Sequence, residues 1–144
     1  MTSRTPTRSA SPEVFRHLMG LDALLADSLG PVLHGLVQLR ASQINGCAYC
    51  VDLHSRTLER HGVPYRTIFG VGAWHESPFF DETQRVALTF TEALTGGIDL
   101  IDDETWQRAG DLLGERGRAD LVVAIGTINT MNMSGISTHL SPTP

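Results

Sequence analysis

Apolar residues in this chain return at steps of three and four, between glycine and proline stops, along most of its length. That pattern limits the fold more than any other feature. A period near 3.6 lines one face of a helix and cannot line one face of a strand. Ser11-Pro12-Glu13 reads as an N-cap, a first-turn proline and a first-turn acid, after which Val14, Leu18, Leu21 and Leu25 share a face. Gly30-Pro31 ends that helix and opens a second, striped by Val32, Leu36 and Leu39. Asn45-Gly46 interrupts again, and a third helix runs through Cys47 to about His61, with Gly62 and Pro64 as its stop. A short helix is expected within residues 64–76, ending near Trp74. Ser77-Pro78 and Asp81-Glu82 introduce the next, whose Val86, Phe90 and Ala93 face one way before Gly96-Gly97. Asp102-Asp103-Glu104 opens another, stopped at Gly114, and the most apolar stretch, from about Arg118 to Thr138, carries Leu121, Ile125, Ile128 and Met131 at helical spacing. No alternating run bounded by turn pairs marks a strand. The expected fold is all-α: one domain of six or seven helices over residues 11–140, preceded by a disordered polar tail over residues 1–10.

A chain of 144 residues is long enough for one core without staples. It contains no lysine, which removes Schiff-base and Walker-lysine chemistry. Eleven arginines against sixteen acids leave a formal charge of −5 and no basic cluster, so nucleic acid is not the expected partner. No apolar run approaches the ~18 residues of a membrane span. The first ten residues lack the apolar core of a secretory signal, so a cytoplasmic location is expected. No haem, flavin or nucleotide cofactor is indicated. The two cysteines, Cys47 and Cys50, form a single C-x-x-C. A disulfide closing so short a loop constrains an unfolded chain little, which points to redox or metal chemistry rather than architecture.

Cys47, Cys50 and His54 stand at i, i+3 and i+7, one face of a helix, with Cys50 and His54 in i,i+4 contact. The Asn45-Gly46 turn puts Cys47 in or just before the first helical turn, where free N–H groups and the positive end of the dipole favour a thiolate. Helix N-termini and histidine neighbours both lower cysteine pKa values, and a second thiol one turn away can resolve a sulfenic acid into a disulfide. The dipole favours Cys47 as nucleophile; hydrogen-bond reach to a base favours Cys50. Cys50 is preferred, because the dipole acts on both thiols, and Cys47 then resolves. Two other readings of the motif are a pair of inert buried thiols and a structural zinc site. Zinc would need a fourth ligand from another helix, with His34 the nearest in sequence, since His61 lies roughly 10 Å from His54 along the axis. A thioredoxin-like reading fails for want of a preceding strand.

The stretch Arg40 to His54, RASQINGCAYCVDLH, closely resembles the signature of the carboxymuconolactone decarboxylase/AhpD-like superfamily, in its small single-domain branch. The likeness continues through Trp74-His75-Glu76-Ser77-Pro78-Phe79-Phe80, Arg85-Val86-Ala87-Leu88, Thr91-Glu92-Ala93-Leu94-Thr95, Val122-Val123-Ala124-Ile125 and Ile128-Asn129. The resemblance implies an AhpD-like helical bundle that assembles as homo-oligomers, often trimers or hexamers. It implies a thiol-dependent peroxidase acting on alkyl hydroperoxides or peroxynitrite, with a thiol or dithiol as electron donor. By the same resemblance the second cysteine, Cys50, is peroxidatic, Cys47 resolves and His54 belongs to the proton relay. Members that decarboxylate carboxymuconolactone lack the cysteine pair, so that activity does not carry over.

One position departs from the pattern. Relatives with the full relay carry a glutamate twelve residues before the first cysteine, in E-L-V-x-L-R-A-S-Q; here the stretch is Gly35-Leu36-Val37-Gln38-Leu39-Arg40-Ala41-Ser42-Gln43. Glu76 and Glu92 fall in family-like segments and are the candidate replacements. If the relay is truncated, Gly35→Glu should raise turnover. The alternative function is a catalytically weak or inactive oligomer serving as a binding or scaffold protein. Trp74 and Trp106 are expected as core or interface anchors, and Arg40 as a helix-linking ion pair.

Overall fold

Helices end where the glycine and proline punctuation predicts. The computed structural model describes residues 4–143, and among these it contains seven α-helices, one 3-10 turn and no strand. The helices are α1 (Thr7–Ala10), α2 (Pro12–Leu29), α3 (Pro31–Asn45), α4 (Ala48–Arg60), α5 (Tyr65–Gly70), α6 (Glu82–Leu94) and α7 (Asp103–Ser137), with the 3-10 turn at Val71–Ala73. Pro12 and Pro31 occupy first-turn positions, where no N–H is needed. Asp81 and Gln84 close a capping box on α6, and Asp102 accepts from the Thr105 N–H to cap α7. The break expected at Gly114 is present: two helical stretches meet there at a kink, both within Asp103–Ser137. Gly114 takes φ 73 and ψ 169, and helical geometry resumes at once beyond it rather than near residue 118.

α3 runs through the middle of the bundle, buried without interruption from Leu33 to Leu39. One of its sides packs Val37 with Phe90 of α6 and Leu121 and Ile125 of α7. The other packs Leu36 and Leu39 with Leu58 of α4, Trp74 and Leu88. Gly35 lies where α3 meets α4: a Cβ there would stand 2.7 Å from Leu58 Cδ2. That separation is closer than carbon atoms approach, so the absent side chain lets the two helices come together.

The expected tail is not free of structure where it is described. Residues 1–3 lie outside the described residues. From Arg4 onward the segment is tied to the far end of the chain: Arg4 Nη1 donates to the Ser137 carbonyl at 2.7 Å, and Ser134 Oγ meets Thr7 Oγ1 at 2.6 Å. The last turn of a helix leaves carbonyls without intrahelical partners, and an arginine is well suited to fill one. Local composition cannot reveal such a contact. Among the described residues no helix is long and apolar enough to cross a membrane.

Candidate active site

The turn between α3 and α4 sets the cysteines. Gly46 adopts the left-handed conformation at φ 72 and ψ 29, its N–H bonds the Gln43 carbonyl at 3.2 Å, and the Cys47 N–H bonds the Ser42 carbonyl at 3.0 Å. These are the two bonds of a Schellman stop. They deliver Cys47 directly as the N-cap of α4, where its sulfur accepts from the Cys50 N–H at 3.3 Å. The two sulfurs are joined in a disulfide with a Cα–Cα distance of 5.3 Å.

Behind the pair, amide side chains fasten α3 to α7. Asn45 Nδ2 donates to Asn129 Oδ1 at 2.8 Å and to Asn132 Oδ1 at 3.0 Å, while Asn132 Nδ2 donates to Ser42 Oγ at 3.0 Å. One turn beyond Asn132, α7 passes over the sulfurs at Gly135. A Cβ there would lie 3.2 Å from Cys47 Sγ and 3.6 Å from Cys50 Sγ. A glycine at this point allows backbone to cover the disulfide.

Cys50 and His54 line a cavity of about 170 Å³ with Tyr49 and Leu53 of α4. Phe15, Leu18 and Met19 of α2 form one wall, Met131, Ser134 and Gly135 of α7 another, and Pro6, Thr7, Arg8 and Leu140 complete the lining. Cys47 does not line this space, although it is as buried as its partner. Of the two sulfurs, Cys50 therefore faces the space a small molecule would enter. His54 is 6% exposed. Burial pushes its pKa from 6.5 down to about 4, against the raising influence of Asp22 and with a smaller lowering influence from His34. The imidazole is therefore neutral at pH 7 and able to accept a proton. Among the described residues no three of His, Cys, Asp and Glu converge to hold a metal ion.

The profile of the carboxymuconolactone decarboxylase family matches residues 12–93, more than half of the chain. The chain belongs to that family. The uncharacterized protein YdfG of Bacillus subtilis (strain 168) is 28% identical over 139 residues, 95% of each chain. The uncharacterized protein YnjA of Escherichia coli (strain K12) is 31% identical over 102 residues, 70% of this chain and 56% of that protein. Among solved structures, a protein of unknown function from Agrobacterium tumefaciens, with a suggested AhpD role in antioxidant defence, superposes with a TM-score of 0.86. It is 31% identical and the match covers 99% of this chain and 100% of that one. A variant of the debrominase Bmp8, in complex with 2,3,4-tribromopyrrole, shares the fold at a TM-score of 0.78 and 19% identity, over 92% of this chain and 72% of that one.

The family pattern places its relay acid at position 35, and neither candidate replacement reaches the cavity. Glu76 is exposed, and Glu92 is engaged elsewhere. Arg40 Nε and Trp74 Nε1 each donate to Glu92 Oε1 at 2.8 Å, and His75 Nε2 lies 3.1 Å from Oε2. Burial pushes the Glu92 carboxyl up, but these three hydrogen bonds and the Arg40 charge outweigh it and hold the pKa below the usual carboxylate range. Arg40 thus makes the expected helix-linking ion pair, and Trp74 is buried as expected. Trp106 is half-exposed, stacked on Phe90 and covered by the Arg118 guanidinium.

An acid that the motifs did not single out lies near the site instead. Asp22 of α2 accepts from Gln38 Nε2 at 3.1 Å and stands 3.1 Å from His34 Nε2. Its one trace in the sequence is an aspartate placed a helical turn after Leu18, beside the apolar stripe of α2.

Proposed function

We propose that the chain is a thiol-dependent peroxidase that reduces organic hydroperoxides through Cys50 and Cys47, with His54 as the base. One observation carries this reading. A cysteine pair bonded at a helix N-terminus has its second member in an apolar cavity that also holds a buried, neutral histidine. In the reduced protein His54 takes the Cys50 proton, and the thiolate attacks the distal peroxide oxygen. The S–O bond forms as the O–O bond breaks; the alkoxide recovers the proton from His54 and leaves as an alcohol. Cys50 is now a sulfenic acid, oxidised by two electrons. The Cys47 sulfur attacks it, the S–S bond forms, and hydroxide leaves with the Cys47 proton as water. A thiol or dithiol donor returns two electrons by exchange with the disulfide. The dipole of α4 favours anionic sulfur throughout, and the apolar lining favours alkyl hydroperoxides over peroxynitrite.

On this reading the working form is a homo-oligomer, a trimer or hexamer, in the cytoplasm, where thiol donors are available. The exposed Val122, Val123, Met133 and Ile136 of α7 supply apolar surface for a second copy. The order of the two cysteines is tested by removing the resolving one. Reduced Cys47→Ser protein, treated with cumene hydroperoxide and dimedone, should carry a single adduct on Cys50 by peptide mass. An adduct on Cys47 of the Cys50→Ser protein, with none on Cys50, reverses the roles. No adduct in either variant overturns the reading.

A further inference from the structure

Three helices bring polar groups together behind the cavity. Cys50, His54 and Leu58 follow one another at helical spacing on α4, with Cys50 and His54 in the cavity and Leu58 against Gly35 of α3. Since α3 and α4 are joined by the tight Gly46 turn, they run back along one another. His54, one turn before Leu58, therefore meets α3 at the level just after Gly35. The buried polar residue of α3 at that level is Gln38, and His34 lies one turn earlier on the same helix, 4% exposed each. Both meet the same carboxylate: Gln38 Nε2 donates to Asp22 Oδ1 at 3.1 Å, and His34 Nε2 approaches that oxygen to 3.1 Å. The His34 contact is a close approach and not a formed hydrogen bond. On α2, Asp22 is one turn beyond Leu18, which lines the cavity.

We infer that Asp22 is the positioning carboxylate of this site, reaching in from α2 to support His54 in place of an acid that α3 lacks at position 35. A side chain at position 35 would meet Leu58 Cδ2 at 2.7 Å and displace it, while Asp22 brings a carboxylate to α3 from α2 with no such conflict. The inference rests on the peroxidase reading for its purpose, since a base that takes the Cys50 proton becomes a cation in an apolar space. Such a cation is costly without a nearby negative charge. Asp22, held by Gln38, acts on His54 by its charge and touches no reacting atom. The ionisable groups around His54 are Asp22 from α2, His34 from α3, Arg8 from the N-terminal segment, and Tyr49 and Cys50 from α4 itself; α7 contributes to the cavity only Met131, Ser134 and Gly135.

The test is the pH dependence of Cys50 alkylation by iodoacetamide in reduced protein, read by peptide mass, for wild type, Asp22→Asn and Asp22→Glu. If Asp22 supports the protonated form of His54, Asp22→Asn moves the profile about one pH unit higher and slows alkylation at pH 7 about tenfold. Asp22→Glu keeps the charge and restores most of the rate. A carboxylate acting only as a negative charge near Cys50 would give the opposite sign, because its removal eases thiolate formation. A shift to lower pH, or no shift, overturns the inference. Asp22 is partly exposed, so loss of its charge should be tolerated; if Asp22→Asn does not fold, Asp22→Ser carries the same test. Failure of both to fold makes Asp22 structural and also overturns it. Iodoacetamide requires no peroxide, so this result stands apart from whether the chain reduces hydroperoxides.

Discussion

His54 concentrates the conflict between folding and chemistry at this site. A base used on Cys50 must lie in the cavity, and the burial that places it there lowers its pKa to about 4. The unfolded chain holds the same imidazole near 6.5. Above that pH both states are neutral and the group contributes no pH dependence. As pH falls from 6.5 towards 4, the unfolded state takes up a proton that the folded state refuses, and stability is lost. The loss is about 3 kcal/mol over that window. Urea unfolding of the oxidised protein at pH 7 and pH 4 should therefore show a drop that His54→Gln reduces by roughly that amount. Equal drops in the two proteins would mean that His54 is hydrated. Cys47, Cys50 and His54 could be found in the sequence because their relation is local, three positions within eight residues of one helix. Asp22 could not, because its partners His34 and Gln38 are on another helix and their meeting depends on how α2 and α3 cross.

At the scale of elements, the site depends on α3 and α4 lying close together. Gly35 is read in the sequence as a lost acid, and the structure gives it a packing role against Leu58. The two readings make opposite forecasts. Gly35→Glu, expected to raise turnover if the relay were merely truncated, instead forces a side chain into fully buried Leu58 and should impair folding. The milder Gly35→Ala separates two effects. It gains about 1 kcal/mol of helix propensity and loses about 1–3 kcal/mol to overpacking. The net effect should be destabilising by roughly 1 kcal/mol, a fall of about 2–4 °C in Tm. Adding Leu58→Val, which removes the methyl groups that a new Cβ would meet, should lessen the penalty. A Gly35→Ala protein that melts above wild type would contradict the close approach. The helix boundaries themselves were legible because glycine, proline and capping acids act locally. The restart of helical geometry directly after Gly114, rather than near residue 118, was not, because no cap or proline marks it.

At the scale of the whole molecule, residues far apart in sequence close a single cavity. The segment at Pro6–Arg8, the start of α2, the first turns of α4 and the end of α7 all contribute. The all-α class followed from periodicity alone, yet the N-terminal wall of the cavity was not legible. Its polar composition matches a free tail, and its partners, Ser134 and Ser137, lie more than 120 residues away. On the proposed function, this assembly turns a cysteine pair into a two-electron reductant of organic hydroperoxides. The most direct measurement mixes reduced protein with one equivalent of cumene hydroperoxide and follows free thiols, protein mass and cumyl alcohol together. The expected result is loss of two thiols per chain, a mass decrease of about two hydrogens from an intramolecular Cys47–Cys50 bond, and one equivalent of alcohol. Both thiols persisting under excess hydroperoxide, with the protein folded, would contradict it.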